Sequence, residues 1–210
     1  NKIIELVKDF HHPETGKILN IPELEMNGLG YSRFILKEGG TLGDLYSKAD
    51  LVRNDKGYIE MDANGALAKD ANVEPIKLGS VLPKANFAFS NEFTYKGVSA
   101  GFLLSCRLGG IVYSATQVSE TSAKALDAGG VVINGRTMIN AQQWYETIGS
   151  SSGLPQYYTY SATNIRLQEA HIGYTIPRRW LKNICDINVS LVGRNLWMIY
   201  CKAPFDPESV

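Results

Sequence analysis

Residues Asn86 to Arg107, NFAFSNEFTYKGVSAGFLLSCR, constrain the fold more than any other stretch. With Lys96-Gly97 as a two-residue turn, Tyr95 pairs with Val98, Phe93 with Ala100, Asn91 with Phe102, Phe89 with Leu104 and Phe87 with Cys106. Nine of those ten positions are apolar. The opposite face pairs Thr94 with Ser99, Glu92 with Gly101, Ser90 with Leu103, Ala88 with Ser105 and Asn86 with Arg107, and is largely polar. A period of two held through both arms and the turn is the signature of a hairpin, because successive strand residues point to opposite faces. A slip of one residue would put Glu92 and Arg107 among the phenylalanines.

Two surroundings suit the apolar face. A soluble sandwich covers it with a second sheet; a membrane barrel turns it to lipid and keeps the polar face inward. A tilted membrane strand needs about 9–11 residues, whereas soluble strands centre on about 5–6. Arms of this length favour the membrane.

The 210 residues suffice for one sizeable domain or a portion of a larger one. Twenty-one basic and 21 acidic residues cancel, which removes the charge footprint of a nucleic-acid binder. No apolar run reaches the length of a membrane helix, a feature barrels do not need. No signal peptide is visible at NKIIELVKDFHHPETG. Cys106, Cys185 and Cys201 are odd in number, far apart and without a CxxC, so they read as small hydrophobes.

Asn1 to Phe10 has apolar residues at helical spacing and reads equally as a strand end. His11-His12-Pro13-Glu14 has metal-ligating residue types at a spacing that fits no recognised site, and reads as a polar turn. Gly28 to Lys37 reads as a short strand. The stretch 38–78 is rich in Gly, Asp and Asn and reads as a surface loop with a small hairpin, its strand Tyr58 to Asp62 bracketed by turn signals. Its glycines are not a phosphate loop, since no GK[ST] follows. Beyond the hairpin, 111–162 reads as a second long loop. It has strand character at Ile111 to Thr116, helices over 119–128 and 141–148, a turn-rich segment at 129–135 and a flexible GSSSG at 149–153. Trp144, Tyr145, Tyr157 and Tyr158 crowd this loop and are its candidates for stacking on a sugar, with interfacial anchoring or loop packing as the alternatives. The last hairpin spans 163–198. Its apolar phase switches within each strand, from Ile165 and Leu167 to Ala170, Ile172 and Tyr174, and from Ile187, Val189 and Leu191 to Leu196 and Met198. Such switches mean bulges or apolar contacts on both faces. Between the strands, Arg178-Arg179-Trp180-Leu181-Lys182 is a basic turn that a membrane interface would receive with Trp180 among the headgroups.

Several segments carry a family resemblance. GGTLGDLY at 39–46, KLGSVLPKANFAFSNEFTYKGVSAGFLLSCRLGGIVYSATQ at 77–117, SATNIRLQEAHIGYTIPRRWLKNI at 161–184, VGRNLWMI at 192–199 and FDPE at 205–208 resemble the C-terminal part of SusC/RagA-type TonB-dependent outer-membrane transporters. The resemblance implies an all-β fold, a segment of a large antiparallel barrel that is incomplete in this chain. It implies a bacterial outer-membrane location, a SusD-like surface lipoprotein as lid and energy from TonB–ExbB–ExbD through parts absent here. It also implies glycan or peptide uptake. The family's plug domain is absent, and the stretch between Gln117 and Ala128 is shorter than the family's pattern.

On this reading Glu92 and Arg107 face the lumen, either toward cargo or paired with neighbouring strands, and loops 38–78 and 111–162 reach the substrate or the lid. A soluble β-sandwich carbohydrate-binding module is the alternative. Catalysis is not expected: no GxSxG, HExxH or kinase set is present, His171 shares a face with Glu169, and no motif implies a cofactor or a metal.

Overall fold

A computed structural model describes residues 2–28, 30–61, 66–119, 131–138, 141–149 and 153–208. The chain forms two units, Asn1–Leu82 with Ile111–Tyr160, and Pro83–Gly110 with Ser161–Val210. The fold is antiparallel β throughout, with few helices.

In the first unit β1 (Val7–His11) pairs with β2 (Ile18–Ile21). The strands β3 (Glu23–Asn27), β4 (Ser32–Lys37), β5 (Asp44–Ser47) and, after the short pair β6 (Asp50–Leu51) and β7 (Lys69–Asp70), β8 (Ile76–Ser80) make a sheet in the order β3-β4-β5-β8. The second unit is a single sheet whose first strands are β9 (Ala85–Tyr95) and β10 (Val98–Leu108). The chain then returns to the first unit through β11 (Ile111–Tyr113), α1 (Ala115–Ser119), β12 (Val131–Ile133), β13 (Arg136–Met138), α2 (Ala141–Ile148) and β14 (Thr159–Ser161). It ends in β15 (Asn164–Ile176) and β16 (Ile187–Cys201), which complete the second sheet in the order β16-β15-β10-β9.

The expected pairing of the central hairpin is the one observed, from Tyr95 opposite Val98 to Asn86 opposite Arg107. Lys96 (φ 47°) and Gly97 (φ 85°) both take the left-handed region, as a two-residue turn matching the strand twist requires. Glycine supplies the second of those positions without steric cost.

The stretches 38–78 and 111–162 carry short strands, helices and a buried cluster. The buried cluster of the chain, Ala49, Leu51, Leu67, Ile133, Ile148, Leu154 and Tyr158, is drawn from 38–78 and 111–162. Short strands and α2 bring those residues together at separations no local period reveals. The strand expected from Ile111 to Thr116 stops at Tyr113, where Ser114 precedes α1 and its hydroxyl accepts from the Gln117 N–H at 3.3 Å. Within the segment 129–135, Val131–Ile133 is a strand paired with β13 through a turn at Asn134–Gly135, both at positive φ. The helix at 141–148 forms as expected. The helix over 119–128 falls almost wholly outside the described residues, as do Asn64-Gly65 and residues 150–152. No described helix is long and apolar enough to cross a membrane, which does not bear on strands.

The motif GGTLGDLY is a clasp in the first unit. The Asp44 carboxylate is fully buried and accepts from Thr41 Oγ1 (2.6 Å), Thr41 N–H (3.1 Å) and the Lys77 ammonium. A Cβ on Gly43 would lie 2.8 Å from Val81 and 2.9 Å from Leu82, so a side chain there would displace the segment after β8.

Candidate functional site: a sheet with two unlike faces

Residues directly opposite in an antiparallel ladder share a face, so the registers of the second unit define its two surfaces. Across β9, β10, β15 and β16 one face carries the rows Phe87–Cys106–Ile165–Tyr200, Phe89–Leu104–Leu167–Trp197, Asn91–Phe102–Ala170–Gly193, Phe93–Ala100–Ile172–Leu191 and Tyr95–Val98–Tyr174–Val189. A sixth, shorter row is Ile176–Ile187. The face is uncovered: Phe93 is 61% and Leu191 74% exposed, and Phe87, Phe89, Val189 and Trp197 are exposed with them.

Bulges keep that face apolar where the sequence changes phase. The register of β15 against β10 shifts between Leu104/Leu167 and Leu103/Glu169, leaving Gln168 as the extra residue. Its side chain accepts from Ser105 Oγ at 2.9 Å. In β16 the register shifts between Arg194 and Trp197, and again between Met198 and Tyr200. Trp197 and Tyr200 thereby return to the apolar face, while Met198 stands opposite Arg166 on the polar one. Leu196 folds over Gly193, where a Cβ would lie 2.6 Å from its methyl, and fills the gap in that row.

The other face carries Asn86–Arg107–Asn164–Cys201, Ala88–Ser105–Arg166–Met198, Ser90–Leu103–Glu169–Arg194, Glu92–Gly101–His171–Val192 and Thr94–Ser99–Gly173–Ser190. Two groups of charges on it are paired. Arg194 Nε donates to Glu169 at 2.9 Å. Arg166, nearly buried, donates to Asp206 at 2.6 Å and lies 3.3 Å from Glu208; Asn164 Nδ2 donates to Glu208 at 3.4 Å. Burial pushes the Asp206 carboxyl up, but the Glu208 N–H and the Arg166 guanidinium outweigh it and hold the group below its ordinary value. Beside this cluster a cleft of about 330 Å³ is lined by Asn86, Ser105, Arg107, Gln168 and Glu208.

Glu92 and Arg107 both stand on the polar face, as the alternation requires. The six steps along β10 from Gly101, which faces Glu92, to Arg107 separate them by about 20 Å at about 3.4 Å per residue. They are not partners. His171 follows Glu169 on this face, but the Glu169 carboxylate is taken by Arg194. His12 Nδ1 accepts from the Glu14 and Thr15 N–H groups at 3.3 Å each, which closes the turn.

Of the loop aromatics, Tyr158 is buried and Trp144, Tyr145 and Tyr157 are partly buried. Tyr158 is only 4% exposed within the cluster of the first unit, so it has no ring face to offer a sugar. Trp144, Tyr145 and Tyr157 pack against that cluster, with Trp144 edge-on to Tyr157 at 5.4 Å. Burial, followed by the nearby Asp50 charge, raises the Tyr157 hydroxyl pKa. Packing against a buried cluster is what the sequence alone could not show for these residues. A cleft of about 830 Å³ lies elsewhere in the unit, lined by Tyr58, Ile59, Glu60, Asn134 and Arg136. The Asn134 side chain braces it, accepting from Ile59 N–H and donating to Ile59 O at 2.9 Å each. These lining residues were not expected from sequence; Tyr58 after the Asn54–Gly57 turn was the available signal.

No protein-family model matches the chain, and no curated protein does. Solved structures do match. A structure of the RagAB peptide transporter aligns with a TM-score of 0.57 and 17% identity, over 91% of this chain and 22% of that one. The likeness is to a transporter chain. A structure of the RagAB peptide importer in its closed-closed state aligns with a TM-score of 0.49 and 17% identity, over 90% of this chain and 26% of that one. At 17% identity, what the chain shares with the first of these structures is the fold. The chain spans about a quarter of the length of the RagAB chains it matches.

Proposed function

We propose that this chain forms part of the wall and surface loops of an outer-membrane, TonB-dependent importer of SusC/RagA type. It acts passively, making and breaking no bond. The observation that carries the reading is the uncovered apolar face of the four-stranded sheet, held continuous across three register shifts. A soluble sandwich requires a second sheet on that face, and an apolar surface of this extent marks an interface with protein or lipid. Six rows at two residues per row span about 34 Å along the strands, or about 26 Å along the membrane normal at a tilt of about 40°, against an apolar band of about 25 Å in outer-membrane barrels.

The connections support the same assignment. Lys96-Gly97 and 177–186 are short and leave one end of the sheet, while the 55 residues from 109 to 163 leave the other. Outer-membrane barrels have short periplasmic turns and long external loops. The Lys96 end then faces the periplasm, and Glu92, Arg107 and the Arg166–Asp206–Glu208 cluster face the lumen. The family resemblance and the fold likeness to a RagAB transporter chain extend the proposal to a SusD-like lipoprotein partner, TonB–ExbB–ExbD through other parts of the protein, and oligosaccharide or peptide cargo.

The experiment is made on the full-length parent protein. It is expected in the outer-membrane fraction, soluble only with detergent, with heat-modifiable gel mobility and with uptake that ceases when TonB is removed. A water-soluble monomer whose Phe87–Tyr95 face lies under a second sheet overturns the proposal, and so does uptake indifferent to TonB.

A further inference from the structure

We propose that the short-turn end of the second sheet binds the anionic headgroups of membrane phospholipids, through Arg179, Lys182 and Lys96 arranged around Trp180. The proposal rests on the membrane reading above and adds a class of lipid to it. The two turns are one surface, because the Thr175 N–H donates to Gly97 O at 2.7 Å. Together they carry Lys96, Arg178, Arg179 and Lys182 against a single carboxylate, Asp186, in a chain whose formal charge is zero. Asp186 is engaged by Arg178, accepting from its N–H at 2.6 Å with the guanidinium 3.8 Å away. Among the described residues no carboxylate lies at ion-pair distance from Arg179, Lys182 or Lys96, and all three are exposed.

The apolar face fixes the depth of these cations. Trp180 packs on Tyr174 with ring centroids 6.4 Å apart, and Tyr174 belongs to the row of Tyr95 and Val98. Trp180 therefore extends the rim of the apolar face, 63% exposed, and Ile184, four residues on in the same turn, is 80% exposed. A tryptophan at such a rim lies at headgroup level. The Lys96 ammonium stays 5.1 Å from the Tyr95 ring centroid at the same rim. Arg179 and Lys182 flank Trp180 in a turn that is built rather than loose. Leu181 and Asn183 N–H groups both donate to Arg178 O at 2.8 Å, and Lys182 and Asn183 hold φ of 53° and 63°. Uncompensated positive charge at phosphate depth selects an anionic headgroup over a zwitterionic one, because the latter brings its own cation.

The test uses the full-length parent protein in neutral detergent, offered phosphatidylglycerol and phosphatidylethanolamine in equal amounts, with bound lipid read by native mass spectrometry. The unmodified protein is expected to retain phosphatidylglycerol preferentially. R179Q/K182Q is expected to lower that preference by up to about thirty-fold, at about five-fold per cation near an anionic surface, whereas R179K/K182R keeps it. On the unmodified protein, raising the salt to about 1 M, where the screening length is about 3 Å, is expected to abolish the preference. That measurement stands even if the double variant does not fold. Equal retention of both lipids by the unmodified protein, a preference that survives in R179Q/K182Q, or one that survives high salt overturns the proposal. Heat-modifiable mobility in the same samples then shows that the barrel reading survives. A parent protein that stays in the aqueous fraction overturns the barrel reading and this proposal with it.

Discussion

Asp44 has no water contact, yet it is charged. Burial alone would raise its carboxyl pKa, but donors from Lys77 and Thr41 outweigh burial and the net shift is downward. A carboxyl whose pKa is lower folded than unfolded contributes stability above its unfolded value of about 3.9 and loses it as pH falls below that. Hydrogen exchange of β5 and β8 amides in the parent protein is therefore expected to accelerate as pH drops through this range, after correction for intrinsic exchange. Asp44→Ala is expected to cost about 2–3 kcal/mol of local protection, the scale of hydrogen bonds to a charged group, and to remove that pH dependence. Unchanged protection in the variant would mean that the clasp is ornamental. In sequence the motif GGTLGDLY was visible only as a family resemblance and as a failed phosphate loop. Its purpose was hidden because the decisive partner, Lys77, stands 33 residues away.

Among elements, the hairpin of β9 and β10 was fully legible, since its alternation and its turn residues state the same register. The pair β15–β16 was half legible. A phase change announces that the strand departs from regularity, but two bulges and an inside-out contact have the same one-dimensional signature. Backbone register distinguishes them, and here Gln168 and the irregular steps of β16 keep the apolar rows aligned. The position of a charge on this sheet should then decide its cost. On the proposed membrane reading, Phe102→Arg, in a middle row of the apolar face, is expected to destabilise the full-length protein by about 2–4 kcal/mol, as cations do at the bilayer midplane. Ser99→Arg, on the polar face, is expected to cost far less. Unfolding of both variants in lipid vesicles by urea compares them directly, and equal costs would show that lipid does not contact Phe102.

At the scale of the molecule, the residues expected to be loop hold most of the buried core, and the residues expected to be barrel leave their apolar side chains outside. The second half of that pattern follows from a period of two. The first half escapes a sequence reading, because Ala49, Leu67, Ile133 and Leu154 meet without any repeat that links them. A cavity in the first unit should therefore leave the second intact. Leu154→Ala removes a fully buried side chain and is expected to cost that unit about 2–5 kcal/mol, seen as faster proteolysis within 38–78 and 111–162. Heat-modifiable mobility of the parent should be unaltered; its loss would mean that the two units unfold as one.

The pairing of β11 with β14 also bears on how quickly such a chain can assemble. Its companion bond, from Ala162 N–H to Gly110 O at 3.0 Å, brings together the two ends of the long excursion between β10 and β15. Once that neck is tied, β15 meets β10 across an effective gap of a few residues instead of more than fifty, which lowers the entropic cost of closure by about 2 kcal/mol at 0.6 kcal/mol per doubling. Distant parts of the polypeptide thus become kinetic neighbours, and the excursion can lengthen or shorten over evolutionary time with little penalty in folding speed.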